Sequence, residues 1–81
     1  MKNAQQYPNL ARLADSWPSA YVARQEIKKF SGGIITPKTL ANLDCKGVGP
    51  EGRFRVGRKV VYHVDLFIKW FDGRATNINE N

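Results

Sequence analysis

A single cysteine, Cys45, among 81 residues excludes an intramolecular disulfide, and the lack of a second thiol removes zinc knuckles and ribbons. Histidine is equally scarce, with His63 alone. One Cys and one His cannot complete a tetrahedral metal site, and the acidic side chains are scattered rather than clustered. No apolar run approaches the ~20 residues of a membrane span, and Met1 to Leu10 lacks the apolar h-region of a signal peptide. A soluble cytoplasmic protein without a membrane partner is expected. A chain this short buries roughly 60–65% of its unfolded surface, which allows one small domain but not the two-lobed cleft that most enzymes use. The 42% hydrophobic and 11% aromatic content still suffices for one core, which argues against disorder of the chain as a whole.

Acidic residues are also in deficit, 7 Asp+Glu against 13 Lys+Arg, giving a formal net charge of +6. Placement is more informative than the sum. Between Gly52 and Tyr62 the chain carries Arg53, Arg55, Arg58 and Lys59 with no acidic residue among them, and Lys28, Lys29 and Lys38 flank an earlier segment. These can form one basic surface, although any small soluble domain also needs solvating charge.

Residues 1–20 are polar, with Pro8 and Pro18, and Leu10, Leu13 and Ala14 match one face of a short helix. From Val22 to Phe30, Val22, Ala23, Ile27 and Phe30 recur at helical spacing with Arg24, Gln25, Glu26, Lys28 and Lys29 opposite, which predicts an amphipathic helix. Ser31-Gly32-Gly33 ends it. Thr36 can cap the next helix and Pro37 suits its first position, where a missing N–H is harmless. Leu40 and Leu43 then face inward, leaving Lys38, Thr39 and Asn42 on or near the exposed side. Helix, glycine turn and helix make a helix-turn-helix candidate.

Residues 46–52 hold three glycines and a proline, so a loop follows. It lacks the Lys-Ser/Thr and the strand-to-helix crossover of a phosphate-binding loop. Phe54, Val56, Val60 and Tyr62 bracket Gly57-Arg58-Lys59, predicting a β-hairpin with a two- or three-residue turn. Pairing Val56 with Val60 puts all four apolar side chains on one face, whereas a strict two-residue turn shifts the register. A last helix runs from about Val64 to Asp72, with Asp65 near its N-terminus and Gly73 as the stop. Leu66, Phe67, Trp70 and Phe71 form its inward stripe. It is apolar almost all round, as befits a core prop or a partner surface. Ala75 to Asn81 reads as a frayed tail.

The run Thr36-Pro37-Lys38-Thr39-Leu40-Ala41-Asn42, the Gly47-x-Gly49-Pro50 loop, Val56-Gly57-Arg58-Lys59-Val60-Val61-Tyr62, and Asp65-Leu66 with Trp70 together resemble the excisionase and AlpA-like DNA-binding proteins of phages and mobile elements. The resemblance covers about Tyr21 to Asp72. It implies an α+β, MerR-like winged helix-turn-helix, with short helices and one two-stranded hairpin as the wing. On that scheme 1–20 is a leader, 21–73 the DNA-binding domain and 74–81 a flexible tail. The partner implied is double-stranded DNA, with an integrase or further copies of the chain beside it. The helix from Pro37 to Cys45 would enter the major groove with Lys38, Thr39 and Asn42 nearest the bases. Arg58 and Lys59 at the hairpin tip would reach the backbone or the minor groove, and Lys28, Lys29, Arg53 and Arg55 would meet phosphate. Lys can donate to guanine O6/N7, Asn can bond adenine bidentately, and Arg favours narrow minor grooves.

Catalysis has few candidates. A Cys45–His63 nucleophilic pair lacks a cleft, Cys45 reads as a small buried hydrophobe, and His63 reads as a surface or helix-start residue. Trp17 and Trp70 can stack on unpaired bases in principle, but core packing suits them better. No cofactor, metal or small-molecule substrate is expected. Two classes remain, a DNA-binding protein that is not an enzyme and a protein-interaction module using helix 64–72 and the leader.

Overall fold

The computed structural model describes residues 9–76 and 78. Its centre is a three-stranded antiparallel sheet in the order β1-β3-β2, formed by β1 (Tyr21–Ala23), β2 (Phe54–Val56) and β3 (Lys59–His63). The sheet therefore has three strands, not the two of the hairpin alone. The additional strand lies where the sequence pattern predicts the start of a helix. Val22 is buried opposite Tyr62, and Ala23 is still extended at φ −75°, ψ 146°. Helical structure begins only with a 3-10 turn, Arg24–Glu26, leading into α1 (Ile27–Phe30). A β-branched side chain that fits the pleated surface suits this strand position, and non-local pairing overrides the apparent helical period.

Ile27 and Phe30 are buried one turn apart on α1. The turn that follows needs glycine, since Gly32 and Gly33 both have positive φ, 69° and 87°. Ser31 adds a lock that its polarity does not advertise. It is fully buried, and its hydroxyl accepts from Ile35 N (3.2 Å) and lies 3.3 Å from Ile35 O. Helix α2 (Pro37–Cys45) begins as its signals indicate: Thr36 is the N-cap, its hydroxyl accepts from Thr39 N, and Pro37 opens the first turn. Leu40 is fully buried and Leu43 half-buried. Cys45, in contrast, is exposed rather than buried, because it follows the inward Asp44 by one residue and so turns away from the core.

The hairpin closes with a strict two-residue turn, Gly57-Arg58, and the register is Val56 to Lys59, Arg55 to Val60 and Phe54 to Val61. Val56 does not pair with Val60. That one-step difference separates the four apolar residues: Val60 and Tyr62 share one face with buried Val22, while Phe54 and Val56 lie on the other.

Helix α3 (Val64–Asp72) buries Val64, Phe67 and Phe71 and has Asp65 in its first turn. Its aromatic rings carry much of the core. Phe67 lies 5.6 Å from Phe30, 6.2 Å from Tyr62 and 5.0 Å from Phe71 between ring centroids. The leader joins this core through a 3-10 helix, Leu10–Ser16, which Asn9 caps by accepting from Ala11 N. Leu10, Leu13, Ala14 and Trp17 pack on the core, and Leu10 N donates to Asp72 at 3.1 Å. Trp17 meets Phe30 edge-on at 5.3 Å. Residues 1–8 of the leader, and residues 77 and 79–81 of the expected tail, lie outside the described residues. Among the described residues no helix is long and apolar enough to cross a membrane.

Candidate nucleic-acid interface

Helix α2 turns its polar side outward because its apolar side is anchored twice, by Leu40 and by Asp44 one turn later. Asp44 is buried at 5% exposure. Its Oδ2 accepts from Arg24 Nη2 at 2.7 Å and from the Tyr62 hydroxyl, while Arg24 Nε also donates to that hydroxyl at 2.9 Å. Arg53 approaches the second carboxylate oxygen to 3.7 Å, beyond hydrogen-bond distance, so Oδ1 has an ionic neighbour but no hydrogen-bond donor among the described residues. Gly49 completes the enclosure, since a Cβ there would stand 1.9 Å from Asp44 Oδ1.

The triad ties α2, the 3-10 turn and β3 together. Burial, reinforced by the hydrogen bond to Asp44, pushes the Tyr62 phenol up to about 12. For Arg24, burial acts downward, but the hydrogen bonds to Tyr62 and Asp44 and the attraction of both outweigh it and raise the value. Sequence reasoning places Tyr62 in the core but misses Asp44 and Arg24. One signal was available: Asp44 follows inward Leu40 by four residues, and a carboxylate on the apolar side of a helix needs a cationic partner.

Lys38 and Asn42 lie one turn apart on the exposed side of α2 and point the same way. Thr39 is exposed but set to one side. Its hydroxyl accepts from Thr36, and it lines an apolar hollow with Leu10, Ile34, Leu43 and Phe71. On the hairpin, Arg58 occupies the turn and Lys59 the first position of β3, where its ammonium donates to Gln25 at 2.8 Å. Arg58, Lys59 and Val60 line one shallow cleft of about 160 Å³ with Arg24, Gln25 and Pro37. The hairpin tip and the first residue of α2 thus border the same depression. Arg55 is exposed on β2, Arg53 is half-exposed beside Asp44, and Lys28 and Lys29 are exposed on α1, apart from that cleft's lining.

His63 is the N-cap residue of α3, whereas Cys45 is the exposed last residue of α2. Trp70 is half-buried, its indole N–H donating to Val48 O at 2.8 Å, and the Trp17 indole donates to Tyr21 O at 2.9 Å. Both rings are engaged in holding loops. Among the described residues no group of three His, Cys, Asp or Glu side chains could hold a metal ion. Comparison with models of known protein families finds no match, and comparison with curated proteins finds no similar sequence.

Proposed function

We propose that this protein binds double-stranded DNA as a small winged helix-turn-helix protein of phage or mobile-element type, acting as an excisionase or a transcriptional regulator. The observation that carries the reading is the cleft shared by Pro37 at the start of α2 and by Arg58 and Lys59 at the hairpin tip. A helix that carries Lys38 in its first turn and Asn42 one turn later on the same exposed side can lie in a major groove while the tip reaches the flanking backbone or minor groove. Thr39 sits at the margin of that reading face. Arg53, Arg55, Lys28 and Lys29 supply phosphate contacts, and further copies of the chain or an integrase are the accompanying protein partners.

Neutralising 4–6 phosphates corresponds to a slope of log K against log salt of roughly −4 to −5. Fluorescence anisotropy with a labelled duplex at several salt concentrations measures it. No binding at low salt, or a slope near zero, removes the nucleic-acid reading. Docking of a protein through α3 and the leader has less to support it, because Val64, Phe67 and Phe71 are buried and Leu10, Leu13, Ala14 and Trp17 pack against the same core.

A further inference from the structure

Apart from Lys59, the outer face of the sheet carries features that DNA binding by α2 and the hairpin tip does not use. Tyr21, Phe54 and Val56 are 47%, 37% and 60% exposed. With Val61 and Lys59 they line an open, largely apolar hollow of about 510 Å³. The Tyr21 and Phe54 rings meet edge-on at 5.6 Å, and each lies 5.3 Å from the His63 imidazole. Scattered apolar side chains on a surface need no explanation, but a contiguous set on one sheet face marks a contact surface.

The same residues border an open strand edge. β2 lies at the margin of the sheet and pairs only with β3. Gly57 has φ 60° and no non-glycine residue has a positive φ, which gives the two-residue turn its type II′ form. The pair flanking such a turn, Val56 and Lys59, is hydrogen-bonded, and the next pair, Arg55 and Val60, is not. The Arg55 N–H and C=O therefore point away from β3, toward the open edge. On either side of Arg55 the strand presents Phe54 and Val56 to the outer face, while the Arg55 side chain lies on the opposite face.

We infer that this edge takes up an extended segment of another protein in which apolar and acidic residues alternate. A strand added to β2 sends alternate side chains to the two faces. Apolar ones land beside Phe54 and Val56, and acidic ones land beside Arg55, with Arg58 nearby at the turn. Charge selects this occupant over a second copy of the chain. Two-fold pairing of β2 with itself sets Arg55 near Arg55 and brings together two molecules of net charge +6, and like charges opposite each other destabilise a strand pair. Arginine on an edge thus blocks self-pairing while attracting an acidic strand. The inference does not depend on DNA binding, although Arg55 belongs to both surfaces.

The test titrates a terminally blocked octapeptide of alternating valine and glutamate into the 15N-labelled full chain. The amide signals of Phe54, Arg55 and Val56 should move, and exchange of the Arg55 amide hydrogen should slow at least about fivefold at saturation. Arg55→Glu, at an exposed position that leaves the fold intact, should weaken binding at least about tenfold, and a valine–lysine octapeptide should not bind. The proposal is overturned if two probes, each N-methylated on one alternate set of backbone amides, both bind with unchanged affinity, because edge pairing needs one of those sets. Unchanged Arg55 exchange at saturation overturns it as well. So does movement of the Phe54 and Val56 signals with oligothymidylate but not the peptide, or with protein concentration alone, which would assign the face to nucleic acid or to a second copy. Loss of duplex binding in the salt titration leaves these readouts untouched, so the two readings fail separately.

Discussion

Replacing Asp44 with alanine removes the acceptor on which Arg24 and Tyr62 converge, and the cost follows from what is left behind. Breaking a buried ion pair by deleting one partner typically costs about 3–5 kcal/mol. The Arg24 side chain is 26% exposed, so water recovers part of its charge and the lower end applies. The Tyr62 hydroxyl, fully enclosed, loses its acceptor, which by itself costs about 1–3 kcal/mol. The two losses share one oxygen and are not additive, so about 3 kcal/mol is expected for Asp44→Ala. A domain of this size has only about 4–12 kcal/mol of stability. Each kcal/mol shifts the midpoint by about 4–8 °C, so the melting temperature should fall by roughly 12–24 °C. Circular dichroism melts and urea titrations measure both quantities. Asp44→Asn keeps the volume and an acceptor for Tyr62 but loses the charge, and should cost about half as much. A cycle with Tyr62→Phe should give a coupling of about 1–3 kcal/mol. A loss below about 1 kcal/mol for Asp44→Ala, or no coupling to Tyr62, would refute the view that this carboxylate pins α2 to the sheet.

Further outcomes follow from the same geometry. The Tyr62 phenol, ordinarily near 10, titrates at about 12 in the folded chain, so its contribution is fully present below pH 10 and is lost as pH rises toward 12. The loss, on the order of 2 kcal/mol, should be seen in wild type and abolished in Tyr62→Phe, and the difference between their phenolate absorbance titrations should have a midpoint well above 10. Gly49→Ala forces a methyl against Asp44 and should destabilise by about 2–3 kcal/mol in a thermal melt, whereas an unchanged melt would mean that the loop yields freely. Arg58→Ala, at an exposed turn position, should leave the melt unchanged, weaken duplex binding and reduce the salt slope by about 0.9; equal affinity on every duplex would make the hairpin purely structural. Asn42→Ala and Lys38→Ala should each relax discrimination at particular base pairs by about 1–3 kcal/mol in selections from random duplexes, and preferences identical to wild type would remove them from base reading.

What the amino-acid sequence determined by itself is the part of the fold written in neighbouring residues. Thr36 and Pro37 mark the start of α2 because capping and a fixed proline φ act within one helical turn. Gly32 and Gly33 mark the turn before it because only glycine enters the left-handed region at little cost. The hairpin and the bounds of α3 are local in the same sense. The exposed basic residues are legible too, since charge without an apolar context stays in water. Tertiary structure decided the rest. A strand as short as Tyr21–Ala23 has no measurable period, and its existence depends on β3, some forty residues later. The hairpin register depends on which face the core covers, and this sends Val60 inward and leaves Phe54 and Val56 on the outer face. Asp44 finds Arg24 and Tyr62 only when three separate elements meet. The leader's few apolar residues become part of the core only because α3 offers them a surface. Burial and pairing between distant segments set all of these, and no window of adjacent residues encodes them.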